Sequence, residues 1–241
     1  MKALLFAAGK GTRLRPFTDH HPKALAKVNG VTLLERNIRF LNSYGIYDFV
    51  INVHHFASQI TEFLQLNNNF GSKIEISDES EELLETGGGM VFAKNKLQDQ
   101  KEFLIMNTDI LTTLPIDQLL SSHNKSGALA TLAVSERSSS RKLLFDSEMK
   151  LQGWENSNTG EQKLASDPSL LTPYAFSGVH VVSSRIFDKI EREGKFSIID
   201  EYLDLMNQEK IIGFLHTSLL IDVGRPESVL EAEKFFNYIN I

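Results

Sequence analysis

The sequence predicts an α/β protein: a single domain with a mostly parallel central sheet, helices on both faces and a small β-flap. Three observations predict it. Short apolar bursts alternate with amphipathic stretches through the first 110 residues or so. The bursts run for about four to eight residues, the length of buried strands rather than helices. Their β-α-β-α-β-α-β order is the pattern of a parallel sheet covered on both sides.

In order, KALLFA (2–7) is too short for a helix and reads as a buried strand. TLLERNIRFLNSYG (32–45) sets Leu33, Leu34, Ile38 and Leu41 at helical spacing, with Gly45 as a cap. DFVINV (48–53) is the second strand, ASQITEFLQL (57–66) the second helix and KIEIS (73–77) the third strand. TGGGMVFAKNKL (86–97) reads as a glycine-rich turn opening a helix, and EFLIMNTD (102–109) as a fourth strand ending in polar groups. A helix follows at 116–124 and a strand at 128–135. The polar, Ser-rich run 136–168 is expected to form a hairpin or flexible flap. Then come a strand at 174–183, a helix at 197–206 and a strand at 219–223. Pro226 opens a closing helix, PESVLEAEKFFNYI, with Glu227 in its first turn, where the helix dipole favours a carboxylate. No repeat or linker divides the chain.

The chain has 241 residues, a formal net charge of −6, 41% hydrophobic and 23% charged residues, a globular balance. Its acidity argues against nonspecific binding to nucleic acid or to an anionic membrane. With no cysteine, disulfides and thiolate metal sites are excluded, and a cytoplasmic location is expected. No segment supplies the roughly 18 apolar residues of a membrane span. The N-terminal apolar run is too short for a signal peptide and is followed at once by Lys10, Arg13 and Arg15.

Against that acidic background, FAAGKGTRLRPFTDHHPKAL (6–25) gathers Gly9, Gly11 and the cations Lys10, Arg13, Arg15 and Lys23. A dinucleotide fingerprint needs a small third residue where this chain has Leu14. A P-loop fails as well, because Leu4 stands at its first glycine position. Two readings stay open on the residues alone: a glycine loop offering backbone N–H groups to phosphate, or a tight turn carrying surface cations.

The longer stretch LLFAAGKGTRLRPFTDHHPKALAKVNGVTLLERNI resembles the N-terminal signature of sugar-1-phosphate nucleotidylyltransferases. ETGGG (85–89), LIMNTDI (104–110), FSGVHV (176–181) and IDVGRPESVLEAE (221–233) resemble further motifs of the same family, so the likeness covers essentially the whole chain. The resemblance implies a Rossmann-like nucleotidyltransferase fold. It also implies transfer of a nucleotidyl group from an NTP to a sugar 1-phosphate, with release of pyrophosphate. The nucleotide then falls to the half before about residue 110 and the sugar phosphate to the half after it. By the same likeness Ala7, Ala8, Gly9, Gly11, Thr12, Gly87, Gly88 and Asn107 are expected at the nucleotide. Arg13 and Lys23 are expected to act on the reacting phosphates, with Lys23 and Gly178 on the sugar-phosphate side. Asp109 and Asp222, at C-terminal strand ends, are the expected ligands of Mg2+, which favours hard oxygen donors. Within the family, bacterial N-acetylmuramate-1-phosphate uridylyltransferases look closest and mannose-1-phosphate guanylyltransferases are near neighbours. A monomer or homodimer is expected.

The chain departs from the pattern in places. Thr108 stands where the family has Gly, and Arg225 where it has Thr. No glutamine precedes the glycine loop to read a pyrimidine, and the Glu-Lys-Pro element is absent, with Glu161 nearby. Rival readings are a cytidylyltransferase acting on a phosphorylated alcohol and a noncatalytic nucleotide-sugar sensor. A glycosyltransferase would carry a D-x-D motif after the fourth strand, which NTDIL lacks. The acidic run DESEELLE (78–85) is expected to be a solvated loop, and Phe235, Phe236 and Tyr238 to be core or dimer contacts.

Overall fold

A computed structural model describes residues 1–236 of the chain. Its first half alternates strand and helix. It runs through β1 (Lys2–Phe6), a small hairpin of β2 (Lys27–Val28) and β3 (Val31–Thr32), α1 (Leu33–Ser43) and β4 (Asp48–Val53). It continues with α2 (Ala57–Leu66), β5 (Lys73–Asp78), α3 (Glu85–Phe92), α4 (Lys94–Leu97) and β6 (Glu102–Asn107). The second half opens with β7 (Ile110–Thr112), α5 (Ile116–Ser126), β8 (Ala130–Ser135), β9 (Arg141–Phe145), β10 (Leu151–Asn156) and β11 (Glu161–Leu164). β12 (Thr172–Ser183), α6 (Ile198–Leu205), β13 (Ile211–Leu215), β14 (Leu220–Asp222) and α7 (Pro226–Phe235) complete it.

The main sheet runs β11-β10-β9-β12-β6-β1-β4-β5, with β8 on β12 and β13 on β8. β5, β4, β1 and β6 are mutually parallel, and β12 enters antiparallel to β6. Parallel strands covered on both faces are apolar on both, which is why KALLFA reads as an unbroken run. Leu4, Val50, Phe103 and Ile105 pack on one side with Met90, Leu97 and Tyr202 of α3, α4 and α6. Leu5, Phe49, Ile51 and Met106 pack on the other with Ile38, Ile60 and Leu119 of α1, α2 and α5. A fully buried Leu, Ile or Phe is worth about 1.5–3 kcal/mol, so these two layers dominate the stability.

Residues 136–168 form an ordered β9-β10-β11 antiparallel extension, which joins the sheet where Thr172–Tyr174 of β12 pair with β9. β12 shifts register against β8 between Phe176 and His180, and Gly178 sits in that bulge with φ +72°. A bulge of this kind kinks a strand, so β12 serves two parts of the sheet. The closing helix is seen to Phe235; Phe236 is buried beneath it and Phe235 exposed, while Tyr238 lies outside the described residues. Among the described residues no helix is long and apolar enough to cross a membrane.

Candidate active site

The chain reverses direction across the sheet between β1 and β6, the switch point where open α/β sheets bind ligands at their carboxyl edge. Register places Phe6, Asn52 and Asn107 level with one another, so the loops after β1 and β6 leave side by side. Between them opens a cavity of about 390 Å3, lined by Ala7, Ala8, Gly9, Lys23, Asn107 and Asp109 among others.

The loop after β1 owes its shape to glycine. Gly11 has φ +62°, and a β-carbon there would lie 2.8 Å from Thr18 Cγ2 and 2.9 Å from Lys23 Cβ. Gly9 has nothing within 4 Å of the corresponding point, so its backbone faces open space. The Thr18 hydroxyl donates to the Gly11 carbonyl at 2.9 Å and fixes the loop against the following turns. The Pro22 turn then buries Lys23, 9% exposed, and aims its ammonium at Asp109 Oδ2, 2.5 Å away.

Asp222 comes from far along the chain. Ribbon pairing sets Asp222 opposite Ile110, and the Val223 N–H donates to the Asp109 carbonyl at 2.8 Å. Gly224 lets the groups close up: a β-carbon there would lie 2.8 Å from Asp222 Oδ1, 3.2 Å from Arg13 Nη2 and 3.4 Å from Lys23 Nζ. Arg13, Lys23, Asp109 and Asp222 thus converge on one spot beside the glycine loop. Partial burial, and then the charge of Asp109, push the Asp222 carboxyl above its usual range, with Lys23, Arg13 and Arg137 offsetting part of the rise. A divalent cation would relieve that repulsion between carboxylates. Among the described residues no group of three or more His, Cys, Asp or Glu is placed to hold a metal. The donor set present is therefore two carboxylates, which fits an ion that takes one or two carboxylates plus substrate phosphate and water.

Other expected residues fall differently. Thr12 begins an exposed turn beside Arg13. Asn107 lines the cavity, and Gly178 packs behind it: a β-carbon at Gly178 would lie 3.2 Å from Asn107 Nδ2 and 2.8 Å from Ile110 Cγ1. Gly87 and Gly88 lie inside α3 rather than in a turn before it, and their N–H groups donate to the Phe196 carbonyl at 2.9 and 3.3 Å. A β-carbon at Gly88 would stand 2.1 Å from the Gly194 carbonyl oxygen. These glycines therefore serve close packing of α3 on the loop before α6, and Leu83, Glu85 and Thr86 line the cavity in their place.

The acidic loop also departs from expectation, because Glu79 is 3% exposed. Its carboxylate accepts from the Asn52 amide and, at 3.2 Å, from the Leu84 N–H, tying the loop to β4; burial raises its pKa. Thr108, which stands where the family has glycine, borders the cavity, and its hydroxyl donates to the Phe6 carbonyl at 2.8 Å. Arg225 occupies the N-cap of α7 without a side-chain cap bond, and Glu161 lies on the exposed strand β11. No motif marks Asn37, whose amide donates to the Thr108 carbonyl at 2.8 Å, or Arg137; helical spacing alone marks Asn37 only as part of α1.

Comparison with known proteins gives the family of the chain. The profile of the nucleotidyl transferase family matches residues 2–237. The chain is 30% identical to an N-acetylmuramate alpha-1-phosphate uridylyltransferase of Neisseria meningitidis, over 97% of each protein. It is 24% identical to a probable mannose-1-phosphate guanylyltransferase of Arabidopsis thaliana over 98% of this chain, and spans 65% of that plant protein. The fold matches a putative glucose-1-phosphate thymidylyltransferase of Bacillus anthracis with a TM-score of 0.84 at 17% identity, covering 100% and 97% of the two chains. It also matches HddC of Yersinia pseudotuberculosis complexed with GMP-PN, with a TM-score of 0.78 at 22% identity over 97% and 98%. The chain belongs to the nucleotidyl transferase family, an enzyme of the class to which these sugar-1-phosphate nucleotidyltransferases belong.

Proposed function

We propose that the protein joins an NTP to a sugar 1-phosphate, giving an NDP-sugar and pyrophosphate. The observation that carries this reading is the convergence of Arg13, Lys23, Asp109 and Asp222 beside the glycine loop and its open cavity. A phosphate oxygen of the sugar forms the new bond to the α-phosphorus as the bond to the β-phosphate breaks and pyrophosphate leaves. That oxygen is already anionic at neutral pH, so no general base is required, and none is assigned. The work falls to alignment and charge neutralisation, which in such transfers supply most of the rate.

The backbone of residues 7–11 offers N–H groups to the triphosphate. Arg13 meets the departing phosphates with a planar fork of donors. Lys23 lies between the two phosphoesters and lowers their repulsion. Asp109 and Asp222 would hold Mg2+, which when bound supplies Lewis-acid neutralisation of the phosphate oxygens. In this reading the half before about residue 110 takes the nucleotide and the half after it the sugar phosphate.

The two pairs best supported by relatives are UTP with N-acetylmuramate 1-phosphate and GTP with mannose 1-phosphate. A pyrophosphate-release screen of four NTPs and dTTP against a panel of sugar 1-phosphates tests the proposal. One productive pair with Mg2+ dependence supports it, and release with phosphocholine in place of every sugar overturns it.

A further inference from the structure

A second cavity, of about 520 Å3, adjoins the first and shares Glu85 and Ser197 with it. It is bounded by Arg137, Arg141 and Trp154 from the β9-β10 flap and the segment leading into it. Its charges are unevenly partnered. Glu85 pairs with Lys195 and Asp200 with Lys163, each at 3.4 Å. Neither Arg137 nor Arg141 has an ion-pair partner among the described residues, where every other cation–carboxylate pair involves different groups.

Arg137 is the more enclosed of the two. One of its terminal nitrogens donates to the Phe176 carbonyl at 2.7 Å, while its Nε is buried with no acceptor. Desolvation lowers its pKa, and the charge of Asp222 offsets part of that effect. Arg141 begins β9. Alternation along the strand puts Arg141 on the same face as Leu143, which lies opposite Trp154 in register and borders the same cavity. Lys142 also borders the cavity, but the same alternation turns its side chain to the other face.

We infer that this cavity receives the sugar and that Arg137 and Arg141 select a sugar 1-phosphate bearing a carboxylate. Two guanidinium groups on one cavity wall with no carboxylate partner suit a ligand carboxylate, which a guanidinium holds through parallel hydrogen bonds. A neutral sugar would leave both guanidinium charges without a counter-charge, and sites built around such a group discriminate strongly against analogues that lack it. The inference rests on the nucleotidyl-transfer reading and narrows it to acidic sugars.

The test compares matched pairs differing in the carboxylate: N-acetylmuramate against N-acetylglucosamine 1-phosphate, and glucuronate against glucose 1-phosphate. Pyrophosphate release gives kcat/KM, and calorimetry gives binding independently of turnover. The acidic member of at least one pair is expected to be favoured by roughly 100-fold or more. Arg141→Gln, at an exposed position that tolerates change, should cut that preference by roughly tenfold, as should Arg137→Gln. Release without acid preference, or variants that depress both members of a pair equally, overturns the inference and leaves nucleotidyl transfer standing. Acid-selective binding lost in the variants, without release from any sugar phosphate, supports the cavity assignment and overturns the transfer reading instead.

Discussion

The Lys23 ammonium lies 2.5 Å from Asp109 Oδ2, so the central cation of the cleft is held by a carboxylate at the end of the neighbouring strand. The pairing orients Lys23 and keeps its buried charge balanced. Asp222, pushed up by partial burial and by the charge of Asp109, faces the same cluster.

Lys23→Ala should therefore raise the KM for sugar phosphate by roughly tenfold or more, the scale of a charged hydrogen bond, with a smaller effect on NTP binding. Steady-state kinetics in both substrates would check this. An unchanged sugar-phosphate dependence would remove Lys23 from its bridging role.

Asp109→Ala and Asp222→Ala should each lower pyrophosphate release by roughly 100-fold or more, in the range seen when transition-state electrostatics are removed. Far-UV circular dichroism should stay that of the parent, because both residues lie at the cleft rather than in either core layer. Turnover close to the parent's in either variant would refute the cation site.

Gly11→Ala places a methyl within 2.9 Å of Lys23 Cβ at a backbone φ of +62°. Strain at such a position costs on the order of 1–3 kcal/mol. The expected result is a lower melting temperature together with lost activity, since relief of the clash displaces Lys23. Gly9→Ala, which meets nothing within 4 Å, should leave the melting temperature within about 2 °C of the parent.

Gly88→Ala should destabilise by about 1–3 kcal/mol, the usual cost of overpacking, because its methyl would stand 2.1 Å from the Gly194 carbonyl oxygen. Urea denaturation measures it. A neutral result would mean that the loop before α6 yields freely, and that the triple glycine is not there for packing.

Three buried histidines contribute to the loss of stability in acid. Burial lowers the pKa values of His123 and His216, and that of His180 to about 3. A base whose folded pKa is depressed is neutral in the fold and protonates in the unfolded chain. Its contribution is present above pH 6.5 and is lost as the pH falls below it. For His180 the loss should run at up to about 1.4 kcal/mol per pH unit down to about pH 3. His180→Phe should flatten the urea-measured stability profile between pH 6 and 4 by about one proton. A slope unchanged by that substitution would contradict the neutral buried imidazole.

The sequence alone determined the alternation of strands and helices, the glycine loop after β1 and the polar end of β6. Each depends on neighbouring residues: an apolar run of strand length, a helical repeat such as Leu34-Ile38-Leu41, or a backbone position that favours glycine. What only the tertiary structure decided are relations between distant parts of the chain. Asp222 reaches Asp109 through a two-stranded ribbon, and Gly87 and Gly88 are consumed by packing against Phe196 and Gly194. Glu79 is buried by Asn52 although its neighbours in sequence are solvated acids. Charge and spacing along the chain say which groups are available. Burial, register and close approach decide which of them face a ligand, and those arise only when the sheet brings separate strand ends together.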